Sequence, residues 1–189
     1  NEVVPGYLTE HGVAPNSNTE TFVAAKLSIN NWRWQGVPFF LRTGKRMARK
    51  MTRIVVTFKR PPVAMFDTYG ACLFTQNRLE LLLQPDEGFN LTVEVKQPGS
   101  GLQLQTQRMH FRYADAFGKL PEAYQTLLLD VARGDRTLFV RADEIETSWE
   151  LFAPVMGQRP ALQTYASGSW GPEASSDLVS RYGQSWTNG

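Results

Sequence analysis

Up to about residue 113 the apolar positions fall in short runs and in alternation, the two patterns of extended chain. The first twenty residues are loop-like, with Pro5, Gly6, Gly12 and Pro15 leading into "NSNTET". Strand patterns follow at "TFVAAKLSI" (21–29), "VPFFL" (37–41), "RIVVTF" (53–58), "RLELLL" (78–83) and "FNLTVEVK" (89–96). The last of these alternates cleanly, which puts Leu91, Val93 and Val95 on one face. "PDEG" (85–88) between two of the runs has the composition of a hairpin turn. In "LQLQTQRMHFRY" (102–113), Leu102 and Leu104 share one parity while Met109, Phe111 and Tyr113 share the other. A flat strand cannot bury both sets, so a bulge is expected near 106–108.

From residue 120 the period changes. "LPEAYQTLLLDVARG" opens with a proline, continues in helix formers and reaches Gly134 where a terminating glycine belongs. "DEIETSWELF" starts with Asp143 and has Glu146 three residues on, the spacing of a capping box, and Pro154 is expected to end or kink that helix. A short helix is expected over 173–181. Strands first and helices later argue for an α+β fold with a largely antiparallel sheet.

The chain has 189 residues, 42% hydrophobic and 20% charged, as a globular domain has. Charge changes the picture once it is located. Of the 20 basic residues, 8 lie in the window 41–60, which has no acidic residue. The rest of the chain sets 12 basic against 18 acidic residues, a balance of −6, so a mildly acidic body carries one basic patch. Cys72 is the single cysteine, which rules out an intrachain disulfide and fits a reducing compartment. No apolar run has the length of a membrane span. The opening "NEVVPGY" has no signal-peptide pattern, and a first residue other than Met suggests a piece of something longer.

Little in the sequence carries chemistry by motif alone. No G-x-G-x-x-G follows a strand, so no dinucleotide-binding unit is announced. Gly44-Lys45 is not a P-loop, because Arg46 follows the lysine and Phe39 stands where the earlier glycine belongs. The histidines are His11, in the amino-terminal loop, and His110, flanked at strand spacing by Arg108 and Arg112 and therefore expected to face solvent or an interface. Two scattered histidines and one cysteine argue against a transition-metal site.

The basic stretch "RTGKRMARK" (42–50) leaves three readings open. As a helix it would stack like charges four apart and hold Thr43-Gly44 in its interior, both unfavourable. As a loop turning at Gly44, it would let Lys45 and Lys50 converge, although they stand about 140° apart on a straight helix. Two ammonium groups suit a phosphate monoester of charge about −1.5 to −2. A solvated loop that binds nothing is the plain alternative. A nucleic-acid surface is the third reading, with Trp32, Trp34, Phe39 and Phe40 near enough to stack on bases.

Four long segments point further. "NNWRWQGVPFFLRTGKRM", "LLLQPDEGFNLTVEVKQPG", "LPEAYQTLLLDVARGDRTLFVRADEIETSWELF" and "YASGSWGPEASSDLVSRYGQSW" together resemble the carboxy-terminal domain of bacterial glucose-6-phosphate dehydrogenase, over about 4–186. The resemblance implies one α+β domain, 1–189, with a large, mainly antiparallel sheet and helices packed on one face. It implies an enzyme that oxidises glucose 6-phosphate to the 6-phosphogluconolactone with NADP as hydride acceptor, in the cytoplasm and in the pentose phosphate pathway. The NADP-binding Rossmann domain and the catalytic histidine with its aspartate would lie outside this chain, so no catalytic residue and no metal are expected in it, and alone it should be inactive. Lys45 and Lys50 match substrate contacts of the family, and Gln84 matches a glutamine that reaches the sugar. Arg42 matches one contact of a second, structural NADP that some members carry. The implied partners are glucose 6-phosphate and further copies of the chain, as a dimer or tetramer through the sheet, with no nucleic acid and no membrane.

Overall fold

The computed structural model describes residues 4–62, 75–99, 103–119, 121–158 and 161–188. Cys72 lies outside them. The chain divides into two compact units, one made of 1–49 with 159–189 and the other of 50–158.

In the first unit, β1 (Phe22–Ser28) pairs antiparallel with β2 (Pro38–Gly44). The register sets Phe22 opposite Gly44, Ala24 opposite Arg42 and Lys26 opposite Phe40. These residues share a face, and aromatic side chains cover it. Phe40 meets the rings of Tyr182 and Trp186 at 5.5 and 6.4 Å, and Lys26 Nζ lies 4.3 Å over Tyr182. The Arg42 guanidinium sits against Trp186 and Trp170, at 4.6 and 5.1 Å, and donates to the Trp170 carbonyl and to Asn188 Oδ1. A helix over Glu173–Ser180 packs beside β1 and buries Val179 and Ser175. Trp186 Nε1 donates to the Ser175 carbonyl and ties the chain that follows back to the helix.

The second unit carries a four-stranded antiparallel sheet in the order β3 (Thr52–Thr57), β4 (Arg78–Gln84), β5 (Gly88–Lys96), β6 (Leu104–Arg112). The α+β character and the antiparallel pairing are as the sequence predicts, with the six described strands divided between two sheets. Two rows, Ile54–Leu81–Phe89–Phe111 and Val56–Leu79–Leu91–Met109, run across one face of the larger sheet. The opposite face holds the row Val55–Glu80–Asn90–His110, with Arg78 and Arg108 in the row beside it.

That polar face contains the most deeply buried side chains among the described residues of the unit. Asn90 is 2% exposed and Glu80 7% exposed. Asn90 Nδ2 donates to Glu80 Oε2 at 2.9 Å, Arg112 Nη2 donates to Asn90 Oδ1 at 3.0 Å, and Arg108 Nη2 donates to Glu80 Oε2 at 3.0 Å. Gly88 makes room for this. A Cβ there would run into the carbonyl oxygen of Phe111, a backbone atom, and would crowd Arg112 Cδ at 3.1 Å. Gly88→Ala is therefore expected to cost about 1–3 kcal/mol. Urea unfolding should show a lower midpoint at unchanged slope, and an unchanged midpoint would mean the strands part to admit the methyl group.

Three expectations need correction. β6 has no bulge: its pairing with β5 runs unbroken from Gly88↔Arg112 to Lys96↔Leu104. Met109 and Phe111 share the face of Leu91 and Phe89, and Leu104 goes to the other face at the far end of the ladder, where the sheet ends and the cost is small. The irregularity lies instead between Thr52 and Arg53, where Leu83 is the extra residue on β4. Nor does "HFRY" stay extended to its end, because a short helix, α1 (Tyr113–Phe117), starts at Tyr113 beside β6. It stacks Tyr113 and Phe117 with Phe111.

The third correction concerns the long helix. α2 (Ala123–Arg133) ends as expected on Gly134, whose φ of 71° is left-handed, and the Asp135 amide closes the turn on the Asp130 carbonyl. The Asp135 carboxylate then accepts from the side chain and backbone of Thr137, which holds its pKa below the usual carboxylate value. α3 (Ala142–Gly157) begins before Asp143 and runs through Pro154 to Gly157. Asp143 does not cap it: its carboxylate takes a two-bond ion pair from Arg141, at 2.9 Å each. Proline removes its own N–H and crowds the Glu150 carbonyl, and solvent can serve that carbonyl because this stretch is exposed. α4 is the helix over Glu173–Ser180 described above.

Candidate functional site

The basic stretch starts as β2 and ends as a tight turn. Gly44 is the last residue of β2 and not the turn itself. Its missing Cβ serves packing, since a methyl group there would lie 2.7 Å from the Phe22 ring. The turn falls at Lys45 and Arg46, and Arg46 takes the left-handed conformation with φ 47°, the one non-glycine residue described with positive φ. That backbone costs roughly 1–2 kcal/mol for a side-chain-bearing residue, so neighbouring contacts must hold it.

They are present on every side. The Lys45 amide donates to the Thr21 carbonyl at 2.8 Å, the Gly168 amide to the Arg46 carbonyl at 2.8 Å, and the Ala48 amide to the Ser169 carbonyl at 2.9 Å. The Tyr165 hydroxyl lies 2.9 Å from the Lys45 carbonyl and 3.0 Å from that of Thr21, and donates to this pair. Arg46 reaches Glu10 at 2.8 Å, an ion pair whose glutamate side chain is 27% exposed. Glu10 and Tyr165 were not foreseen from sequence. They join loops 36 and 120 residues from this turn, and no local pattern marks such a pairing.

Lys45 therefore has a fixed backbone and an exposed side chain, and nothing among the described residues bonds its ammonium. The same holds for Lys50, which opens the second unit two residues before Thr52. Thr52 pairs with Gln84, so the register brings Lys50 and Gln84 to one end of the four-stranded sheet, next to the irregularity at Leu83. Gln84 precedes a cis peptide bond to Pro85 and is exposed. Lys45 belongs to the other unit. Of the remaining arginines, Arg46 is the tether to Glu10, Arg49 is exposed, and Arg53 Nη2 is buried with no hydrogen-bond partner among the described residues. His110 is exposed beside Asn90, as its flanking arginines suggest. No group of three metal-ligating side chains occurs among the described residues, and none of their helices is long and apolar enough to cross a membrane.

The family model for the glucose-6-phosphate dehydrogenase C-terminal domain matches residues 1–187. The chain belongs to this family. A glucose-6-phosphate 1-dehydrogenase of Rhizobium meliloti is 46% identical over 195 residues, covering 98% of this chain and 38% of its own length. One from Treponema pallidum is 42% identical over 189 residues, covering 97% of this chain and 37% of its own length. The chain thus spans a little over a third of the curated relatives it matches. Among solved structures, glucose-6-phosphate dehydrogenase in complex with its substrate glucose 6-phosphate superposes with a TM-score of 0.85 at 30% identity, over 97% of this chain and 38% of that one. A Mycobacterium avium glucose-6-phosphate 1-dehydrogenase gives 0.81 at 34% identity, with the same coverage. A match of this extent leaves the nucleic-acid reading of the basic loop without support. It fits a C-terminal dehydrogenase domain.

Proposed function

We propose that this chain is the sugar-phosphate-binding and dimerisation part of a cytoplasmic glucose-6-phosphate dehydrogenase of the pentose phosphate pathway. The observation that carries this reading is the likeness, over 97% of the chain, to a dehydrogenase solved with glucose 6-phosphate. In this reading residues 1–189 form one substrate-binding and dimerisation domain. Lys45 supplies one ammonium group to the phosphate and Lys50 another, and Gln84 hydrogen-bonds the sugar. Both cations bind as point charges that a dianionic phosphate monoester satisfies. The whole enzyme oxidises glucose 6-phosphate to the lactone and forms a dimer or tetramer through the sheet.

NADP is the hydride acceptor in this reading, and the described residues do not form the Rossmann-type site that would hold it. All described ladders are antiparallel and no described strand leads into a glycine-rich helix start, the usual cradle for a dinucleotide pyrophosphate. A Rossmann domain beyond these residues holds the cofactor, the base and its carboxylate, and the chain alone turns over no substrate. The test is a crystal structure of the full-length dehydrogenase with glucose 6-phosphate. Phosphate oxygens about 2.7–2.9 Å from the Lys45 and Lys50 ammonium groups are expected. A phosphate seated away from both would overturn the assignment.

A further inference from the structure

Lys45 is held by its backbone and left open at its side chain, an arrangement that requires a device to hold it. Its amide donates to the Thr21 carbonyl at 2.8 Å. Its carbonyl faces the Tyr165 hydroxyl at 2.9 Å, and that hydroxyl also lies 3.0 Å from the Thr21 carbonyl. One phenol thus brackets both carbonyls at the root of the turn. The Tyr165 ring is itself fixed, packed on Phe22 at 5.4 Å. Phe22 can lie there because Gly44 and Gly171 have no Cβ to meet its ring. The strap continues from Tyr165 through the Gly168 amide on the Arg46 carbonyl and the Ser169 carbonyl on the Ala48 amide. On the other side Glu10 holds Arg46 in its left-handed conformation.

We propose that Tyr165, with the strap it begins, is a positioning residue for Lys45 and so for the sugar phosphate; this rests on the reading of Lys45 given above. In this role the phenol acts through Lys45 and not on the substrate itself. It fixes the two carbonyls between which the lysine leaves the strand, so the ammonium is presented with little backbone freedom left to lose on binding. Removing the hydroxyl should loosen the root of the turn and weaken phosphate binding while leaving hydride transfer alone.

Steady-state kinetics of the full-length dehydrogenase separate this from a merely structural role. Tyr165→Phe keeps the ring on Phe22, and is expected to raise the KM for glucose 6-phosphate about 3- to 10-fold, the loss of one hydrogen bond. The kcat should stay within about twofold and the KM for NADP should not move. In a Lys45→Ala background the same change should add nothing, because coupled residues are not additive. Glu10→Gln, which weakens the half-buried ion pair to Arg46, should give a smaller rise of the same kind. If Lys45→Ala raises KM while Tyr165→Phe leaves it unchanged, or if the Tyr165→Phe effect persists in full without Lys45, the positioning role is overturned and the lysine contact stands. If Lys45→Ala itself leaves KM unchanged, the lysine contact falls and the positioning role with it.

Discussion

Lys45→Ala in the full-length dehydrogenase is expected to raise the KM for glucose 6-phosphate by roughly 10- to 100-fold, with kcat falling no more than a few-fold. The size follows from the kind of bond. A hydrogen bond to a charged group contributes about 1.5–3 kcal/mol, and each 1.4 kcal/mol is a factor of ten in binding. The split follows from the substrate. The phosphate is remote from C1, where hydride leaves, so its contacts hold ground state and transition state alike, and losing them appears mainly in KM. Ionic strength gives a second readout. The wild-type KM should rise with salt as screening weakens the attraction, and the variant, with one cation fewer, should respond less. Steady-state rates across a salt series check both. A KM within twofold of wild type would remove Lys45 from the site whatever Lys50 does.

The residues proposed for that site come from the sequence, and the bracing of the Lys45 turn comes from the structure. A basic window of eight cations in an otherwise acidic chain stands out in any scan, and family motifs single out Lys45, Lys50 and Gln84. The conformation of the loop depends on residues far along the chain. One sequence reading has the chain turn at Gly44, and glycine is the residue that tolerates positive φ. In the structure the glycine is needed for its missing Cβ, and Arg46 bears the positive φ. Those two requirements look alike in sequence, and only Phe22, Glu10 and the strap from Tyr165 tell them apart.

The strands were found within two residues at most ends because alternation and turn composition are local. Register is not local. The parity change in "LQLQTQRMHFRY" looked like a bulge because every leucine was assumed to need the same face. One leucine at the end of a ladder can turn the other way at little cost. The reverse error concealed the most buried side chains among the described residues of the second unit. A glutamate between leucines in "RLELLL" is counted as an outward residue by any alternation rule. Its burial is explained only by its cross-strand neighbour Asn90 and by Arg108 of β6.

That glutamate is where the largest stability effect is expected. Glu80→Ala should destabilise the second unit by about 3 kcal/mol, because it leaves the buried Asn90 amide without its acceptor and opens a cavity beside it. Asn90 Nδ2, itself buried, would lose its acceptor at 2.9 Å, and Arg108 would lose the carboxylate at 3.0 Å. Arg78, 4.0 Å from the other oxygen, would lose a weaker and more exposed attraction. The cost is discounted for Arg108, whose side chain is 59% exposed and which water can re-solvate, so most of it comes from Asn90 and from the cavity. Glu80→Gln tests that apportionment. Its amide oxygen can still accept from Asn90, so it should lose about 1 kcal/mol, the charge share alone. Thermal unfolding of the chain should show the alanine variant melting roughly 6–12 °C lower and the glutamine variant only a few degrees lower. Equal losses in the two variants would mean the ion pair with Arg108 dominates and the buried amide contributes little. A stable alanine variant would mean that water enters the polar face and satisfies Asn90 without the carboxylate.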